Sequence, residues 1–114
     1  MDTERATNTQ LLKGVLDLAV LTVLDRGPTY GYDVVRQLRE AGLEGVGDAS
    51  VYGTLRRLFT AGALSSRVEP SDEGPNRKYY ELTSRGEDLR EANSKAWATF
   101  SSSMDGLLAA GGRP

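Results

Sequence analysis

The middle of the chain concentrates polar side chains whose chemistry suits contact with a nucleic-acid backbone and with base edges. Hydroxyl groups and two arginines recur within residues 48–62, and an amide with two more cations follows at residues 76–78. Arginine and lysine pair with phosphates, and hydroxyl or amide groups exchange hydrogen bonds with phosphates and bases. The candidate side chains in these two segments are Ser50, Tyr52, Thr54, Arg56, Arg57, Asn76, Arg77 and Lys78.

The absence of two residue types narrows the classes of function. The chain has no histidine and no cysteine, which removes the usual general base, the usual zinc ligands and every Ser-His or Cys-His nucleophile arrangement. Carboxylates remain for acid–base chemistry, but none are paired inside an apolar stretch as such catalytic pairs usually are. We therefore expect a protein that is not an enzyme and that has no metal site or cofactor.

Charge is unevenly distributed along the chain. The formal net charge is −2, yet residues 51–80 carry five Lys and Arg against three Asp and Glu. Residues 1–50 are acidic, with eight Asp and Glu against five Lys and Arg. A local excess of positive charge favours a nucleic-acid surface confined to the middle of the chain.

Hydrophobic periodicity predicts three helices in the first half of the chain. Apolar residues recur at helical spacing over residues 9–25, 30–41 and 48–62, and such spacing is typical of amphipathic helices. Thr29 is predicted to cap the second helix and Asp48 the third, because short polar side chains satisfy free amides at a helix start.

The third helix divides into an apolar and a polar face. Val51, Leu55 and Leu58 lie on the apolar face, which predicts that they are buried. The opposite face is predicted to carry Ser50, Thr54 and Arg57. Such a face suits DNA contact but is also typical of an ordinary solvated helix, and the hairpin that follows favours DNA.

After Gly62 the pattern changes from helical to strand-like. Two short runs at residues 63–69 and 77–82 flank a polar turn, which predicts a β-hairpin. Basic side chains at the start of its second strand suit a phosphate backbone, although a basic pair is also common on solvated strand edges. The hairpin residues predicted to face the helices are Leu64, Val68, Tyr80 and Leu82.

The predicted fold is mainly α with a small β-hairpin, a winged helix-turn-helix followed by a long C-terminal dimerisation helix. Ser84 and Glu87 have the spacing of a capping box at the start of that helix. The predicted organisation is a flexible arm at residues 1–8, a DNA-binding domain at 9–83, a dimerisation helix at 84–108 and a frayed tail at 109–114.

Several short motifs together resemble the PadR family of transcriptional regulators, over a stretch from about Leu11 to Leu89. With a single helix after the wing, the chain resembles the short subfamily. The resemblance implies double-stranded DNA as a partner and adds Tyr30, Tyr32 and Asp48 to the predicted DNA-binding residues. The motifs are Tyr30-Gly31-Tyr32-Asp33, Ser50-Val51-Tyr52, Leu55-Arg56-Arg57-Leu58, Gly62-Ala63-Leu64, and residues 74–83 with Gly86.

The resemblance also implies a homodimer in which the last helix of one subunit packs on the first helix of the other. Such a protein would repress transcription from a pseudo-palindromic operator and leave it when a small-molecule effector binds at the dimer interface. The predicted dimerisation residues are Leu11, Leu12, Val15, Leu89, Ala92, Ala96, Phe100, Met104 and Leu107.

Trp97 is the candidate effector platform, since some short family members bind planar aromatic compounds between paired tryptophans. A lone tryptophan on an apolar helix is also typical of interface packing, and both interpretations stay open. A nucleotide is a second possible effector, because cations from two subunits can form a site without a linear motif. The predicted effector-binding residues are Asn93, Ala96, Trp97 and Phe100.

The main alternative is a winged-helix adaptor that binds another protein through its third helix. Such a helix would be apolar on its outer face, which Ser50 and Arg57 do not favour. The longest apolar stretch is too short to span a bilayer and no secretory segment precedes it. We therefore expect a cytoplasmic protein without a membrane partner.

Overall fold

A computed structural model describes residues 15–111 of the chain. Residues 1–8, Leu11 and Leu12 therefore lie outside the described residues, as do residues 112–114 of the predicted tail. The helices and strands are α1 (Leu16–Asp25), β1 (Thr29–Tyr30), α2 (Gly31–Glu40), α3 (Asp48–Thr60), β2 (Leu64–Ser71), β3 (Gly74–Leu82) and α4 (Ser84–Gly111).

The first three helices pack around one apolar core. Val51 and Leu55 of α3 are fully buried and Leu58 is 2% exposed, which confirms the predicted inner face of this helix. Burying side chains of this size removes apolar area from water and is worth about 1.5–3 kcal/mol each. The largest fully buried side chains are Val20, Leu21, Val34, Val51 and Leu55.

The strands form one antiparallel sheet in the order β1-β3-β2. β2 and β3 are the predicted hairpin, whereas β1 is a two-residue strand that the sequence did not indicate. Thr29 lies in β1 opposite Tyr80, so it does not cap α2 as predicted. Its hydroxyl instead donates to Asp33 Oδ2 over 2.8 Å, because pairing with the edge of β3 holds its backbone in an extended conformation.

The outer half of the hairpin extends past the helices into solvent. Leu64 and Tyr80 are buried at its base, and Leu82 packs against the core from a partly buried position. Val68, predicted to face the helices, is instead 63% exposed. The difference arises because only the first residues of β2 reach the helices, while its later positions have no helix beneath them.

A threonine joins the wing to α4. The Thr83 hydroxyl donates to the Gly62 carbonyl over 2.7 Å and accepts from the Gly86 amide over 3.1 Å. Thr83, rather than the predicted Ser84, therefore caps the helix. Gly86 is required here, because a Cβ atom at this position would overlap the Ala63 carbonyl oxygen.

The last helix is long for so small a protein. It begins at Ser84 as predicted and ends at Gly111, three residues past the predicted end. Its 28 residues span about 42 Å at 1.5 Å per residue, and the molecule is 60 Å in its longest dimension. Among residues 15–111, no helix combines the length and apolar character needed to cross a membrane.

Candidate nucleic-acid interface

One face of α3 points away from the core and is lined by small residues and one arginine. This outward face consists of Ala49, Gly53 and Arg56, which repeat at helical spacing opposite the buried positions. A Cβ atom on Gly53 would meet nothing within 4 Å. The surface is therefore open enough for a nucleic-acid groove to approach the helix backbone closely.

Thr54 does not belong to this surface. It was predicted on the outer face, but its side chain is only 5% exposed. Residue 54 lies three positions after Val51 and one before Leu55, so at 3.6 residues per turn it falls on the buried side. Ser50, by contrast, is exposed beside the outward face.

The start of α2 packs closely against α3 at a glycine. A Cβ atom on Gly31 would overlap the Tyr52 ring, so the glycine allows this tyrosine to lie against the backbone of α2. Tyr52 nevertheless remains 41% exposed. The contact holds the Tyr52 ring at the edge of the α3 surface, with part of it open to a ligand.

The basic residues of the wing are divided between the two faces of the sheet. Consecutive strand residues point to opposite faces, so Arg77 is separated from Asn76 and Lys78. The Arg77 guanidinium lies 4.5 Å from the centre of the Tyr30 ring. Lys78 Nζ lies 5.6 Å from the centre of the Phe59 ring on α3. Each cation is thus oriented by an aromatic ring, and Asn76 is exposed near the turn.

An ion pair supports the turn before α3. Arg39 Nη2 donates to the Asp48 carboxylate over 3.0 Å and to the Val46 carbonyl over 2.9 Å. Asp48 is the first residue of α3 rather than its predicted cap, a position that Gly47 occupies. Its carboxylate therefore links the end of α2 to the start of α3 across the turn.

A second ion pair connects α1 with α3. Arg57 Nη1 and Nη2 donate to the two carboxylate oxygens of Asp17 over 2.9 and 2.6 Å. Hydrogen bonds to Asp17 and the charge of that carboxylate raise the pKa of Arg57. The guanidinium is therefore held against α1 by a bidentate contact.

A hydrogen-bonded carboxylate holds the first turn of α2. Asp33 accepts from Thr29 and Gln37 over 2.8 Å each, and it also pairs with Arg36. Burial raises the pKa of Asp33, but the bonds from Gln37, Thr29 and Arg36 outweigh burial and lower it. Tyr32, on the same turn, is 66% exposed and free to touch a ligand.

The second half of α4 exposes an apolar stripe. Leu89 packs against the core and Arg90 Nε lies 3.5 Å from Asp25 Oδ1 on α1. From Trp97 onward the same helix face is exposed, with Trp97 at 45%. The residues of the apolar stripe are Trp97, Phe100, Met104, Leu107 and Leu108.

Comparison with known proteins decides the family. Residues 20–92 match the model of the transcriptional regulator PadR-like family. The chain belongs to the PadR-like family of transcriptional regulators. It is thus a DNA-binding regulator of transcription and not an enzyme.

Solved structures of other PadR-like proteins have the same fold. A PadR-like regulator of Bacillus cereus is 31% identical, with 87% of this chain and 96% of that chain covered and a TM-score of 0.78. A PadR family regulator of Eggerthella lenta is 29% identical, with 94% and 93% covered and a TM-score of 0.82. A Streptococcus transcriptional regulator is 35% identical, with 86% and 96% covered and a TM-score of 0.76.

In this PadR-like regulator the structure gathers most predicted contact residues on one side of α3 and on the wing. Sequence patterns did not single out Ala49 and Gly53, although small residues near the start of α3 were expected to allow close approach. Asp17 was also missed, because the Asp17–Arg57 contact joins residues 40 positions apart. No periodic pattern in either helix marks such a pair.

Proposed function

We propose that this PadR-like regulator is a homodimeric repressor that binds a pseudo-palindromic operator and leaves it when a small planar aromatic molecule binds at the dimer interface. Residues 9–83 would form the DNA-binding domain and residues 84–108 the dimerisation helix. A repressor of this kind works in the cytoplasm, where the operator is. The observation that carries the proposal is the exposed apolar stripe of α4.

The stripe supports dimerisation because water is a poor solvent for it. Phe100 is 59% exposed, and Leu107 and Leu108 are each 65% exposed on one helix face. Contiguous apolar surface of this kind marks an interaction site in most proteins. Val15 on α1 lies beside the core at the level of Leu89. A second copy would cover the stripe with its own first helix, in a closed twofold arrangement.

The outward face of α3 supports insertion into a major groove. Ala49 and Gly53 leave room for base edges to approach, and Arg56 is long enough to reach a phosphate or a guanine. Tyr52 and Ser50 flank this face and offer hydroxyl groups. Two such helices related by a dyad would contact half-sites one helical turn apart, about 34 Å.

The wing would add contacts to the DNA backbone. Lys78 is positioned by Phe59 of α3, and Arg77 by Tyr30 at the start of α2. Both cations therefore lie next to elements that pack against α3. Asp72 and Glu73 at the tip carry negative charge, which would direct DNA toward the base of the wing.

The aromatic pair on α4 supports the effector site. The Trp97 and Phe100 ring centres lie 6.0 Å apart at an interplanar angle of 38°. Ala96 is exposed and Asn93 partly buried on the adjoining positions. A flat aromatic molecule would stack on the indole, with Ala96 leaving space and Asn93 offering an amide.

A mobility-shift assay with the DNA upstream of the protein's own gene tests the proposal. We expect a sequence-dependent shift that weakens steeply as salt rises, and release of the DNA by planar aromatic compounds that also quench Trp97 fluorescence. The Trp97→Ala variant should bind the same DNA and no longer release it. Release without quenching, or release by nucleotides alone, would contradict the effector site, and no shift at low salt would contradict DNA binding by this chain.

A further inference from the structure

The two adjacent arginines of α3 have different surroundings. Arg56 is exposed on the outward face and forms no ion pair with any other residue between 15 and 111. Arg57 is about 100° further around the helix, and both of its terminal nitrogens bond to Asp17. The Arg57 side chain is 59% exposed and that of Asp17 is 38% exposed. The pair therefore lies at the solvent boundary, beside the proposed DNA surface.

A phosphate would have to compete with Asp17 for the Arg57 guanidinium. Bidentate contacts between arginine and a carboxylate are among the stronger charge-assisted hydrogen bonds. Moving Arg57 to a phosphate would break both of them and would leave the Asp17 carboxylate unpaired near a polyanion. The competing arrangement thus loses one favourable contact and adds a repulsive one.

We propose that Asp17 withholds Arg57 from DNA phosphates, so that α3 presents one free arginine to the DNA instead of two. Sequence-independent binding is driven almost entirely by phosphate neutralisation. Removing one cation per subunit from that surface lowers binding to random DNA, while base contacts of the outward face remain. Asp17 would therefore increase discrimination between the operator and other DNA. The inference rests on the proposed function, in which α3 faces the DNA.

The salt dependence of binding to a random-sequence duplex tests this role. The logarithm of the binding constant falls with the logarithm of salt concentration by about 0.9 for each phosphate contact. We expect Asp17→Asn to steepen this slope by about 0.9 per subunit, because it frees Arg57. The double variant Asp17→Asn with Arg57→Ala should return to the wild-type slope, since neither form presents a free cation at this position.

The opposite role of Arg57 gives opposite results. If Arg57 already contacts a phosphate in the wild type, Asp17→Asn leaves the slope unchanged and the double variant is flatter than the wild type. Either result would overturn the proposal. Asp17→Ser serves as a second variant, and thermal unfolding without DNA verifies that each protein is folded before its slope is measured.

Arg56→Ala separates this inference from the proposed function. We expect it to flatten the slope by about 0.9 per subunit, because Arg56 is the free cation of α3. An unchanged slope for Arg56→Ala would mean that α3 does not face DNA, which overturns both the proposed interface and the role of Asp17. A flatter slope for Arg56→Ala together with an unchanged slope for Asp17→Asn would overturn the role of Asp17 alone.

Discussion

Single side chains determine how much charge and how much space the DNA-binding surface offers. Arg39 and Arg57 are both bound to carboxylates, so most of the local positive charge seen in the sequence is neutralised in the fold. Arg56 and Lys78 are left without an ion pair among residues 15–111, and Arg77 stacks on Tyr30. The surface therefore combines few free cations with an open helix backbone at Gly53.

Gly53 separates stability from DNA binding. Gly53→Ala should stabilise the protein by up to about 1 kcal/mol, because alanine costs less backbone entropy in a helix. Gly53→Leu should also fold, since a Cβ atom there meets nothing within 4 Å. We expect DNA affinity to fall from glycine to alanine to leucine as the side chain fills the space for the groove. Urea unfolding and DNA titration of the three proteins measure the two effects, and full affinity in the leucine variant would exclude this face from the contact.

The elements are joined so that the wing and α4 meet the end of α3 at one point. The Thr83 amide donates to the Ala63 carbonyl over 3.1 Å, and the Thr83 hydroxyl bridges Gly62 and Gly86. Because residues 62 and 63 directly follow α3, a tilt of α4 is transmitted to α3 through this joint. A ligand bound between two α4 helices could thus change the spacing of the two α3 helices.

Thr83→Val tests the joint, because valine keeps the shape and removes the hydroxyl. We expect the free energy of unfolding to fall by about 1–2 kcal/mol, the usual effect of losing a helix cap. Thr83→Ser is the matched control, since it keeps the hydroxyl and should lose much less. Equal urea midpoints for the two variants would show that the bridging hydroxyl adds nothing to stability.

Helices and the hairpin could be predicted from the sequence, whereas local contacts between them could not. The 3.6-residue spacing of Val51, Leu55 and Leu58 gave the buried face of α3 correctly. Thr54 was misplaced because the apolar face is wider than these three positions, and a small hydroxyl residue fits its edge. β1 was missed because two residues are too short for any periodic pattern, and its pairing depends on a strand 50 positions away.

The candidate site shows the same division. Residue type and spacing indicated the cations of α3 and the wing, because basic and hydroxyl side chains cluster there in the sequence. They did not show which cations are neutralised, since Arg57 pairs with Asp17 across 40 positions. Nor did they show that Arg77 and Lys78 point to opposite sheet faces toward different aromatic rings.

At the scale of the whole molecule, tight binding requires two copies of the chain. The net charge of −2 opposes association with DNA, and each α3 offers little free positive charge. Duplicating the surface through the apolar stripe of α4 doubles the contacts that a palindromic site can make. Dimerisation would also bury Trp97 and Phe100, where the proposed effector acts.

Hydroxyl-radical footprinting on an operator selected from random-sequence DNA tests the central claim most directly. We expect two equivalent protected regions whose centres lie about one helical turn, 34 Å, apart on a pseudo-palindrome. Reducing dimerisation with Leu107→Glu should weaken both regions together, because neither half binds tightly alone. A single protected region, or one that persists unchanged in the Leu107→Glu variant, would contradict the account of a dimer that places two α3 helices in successive major grooves.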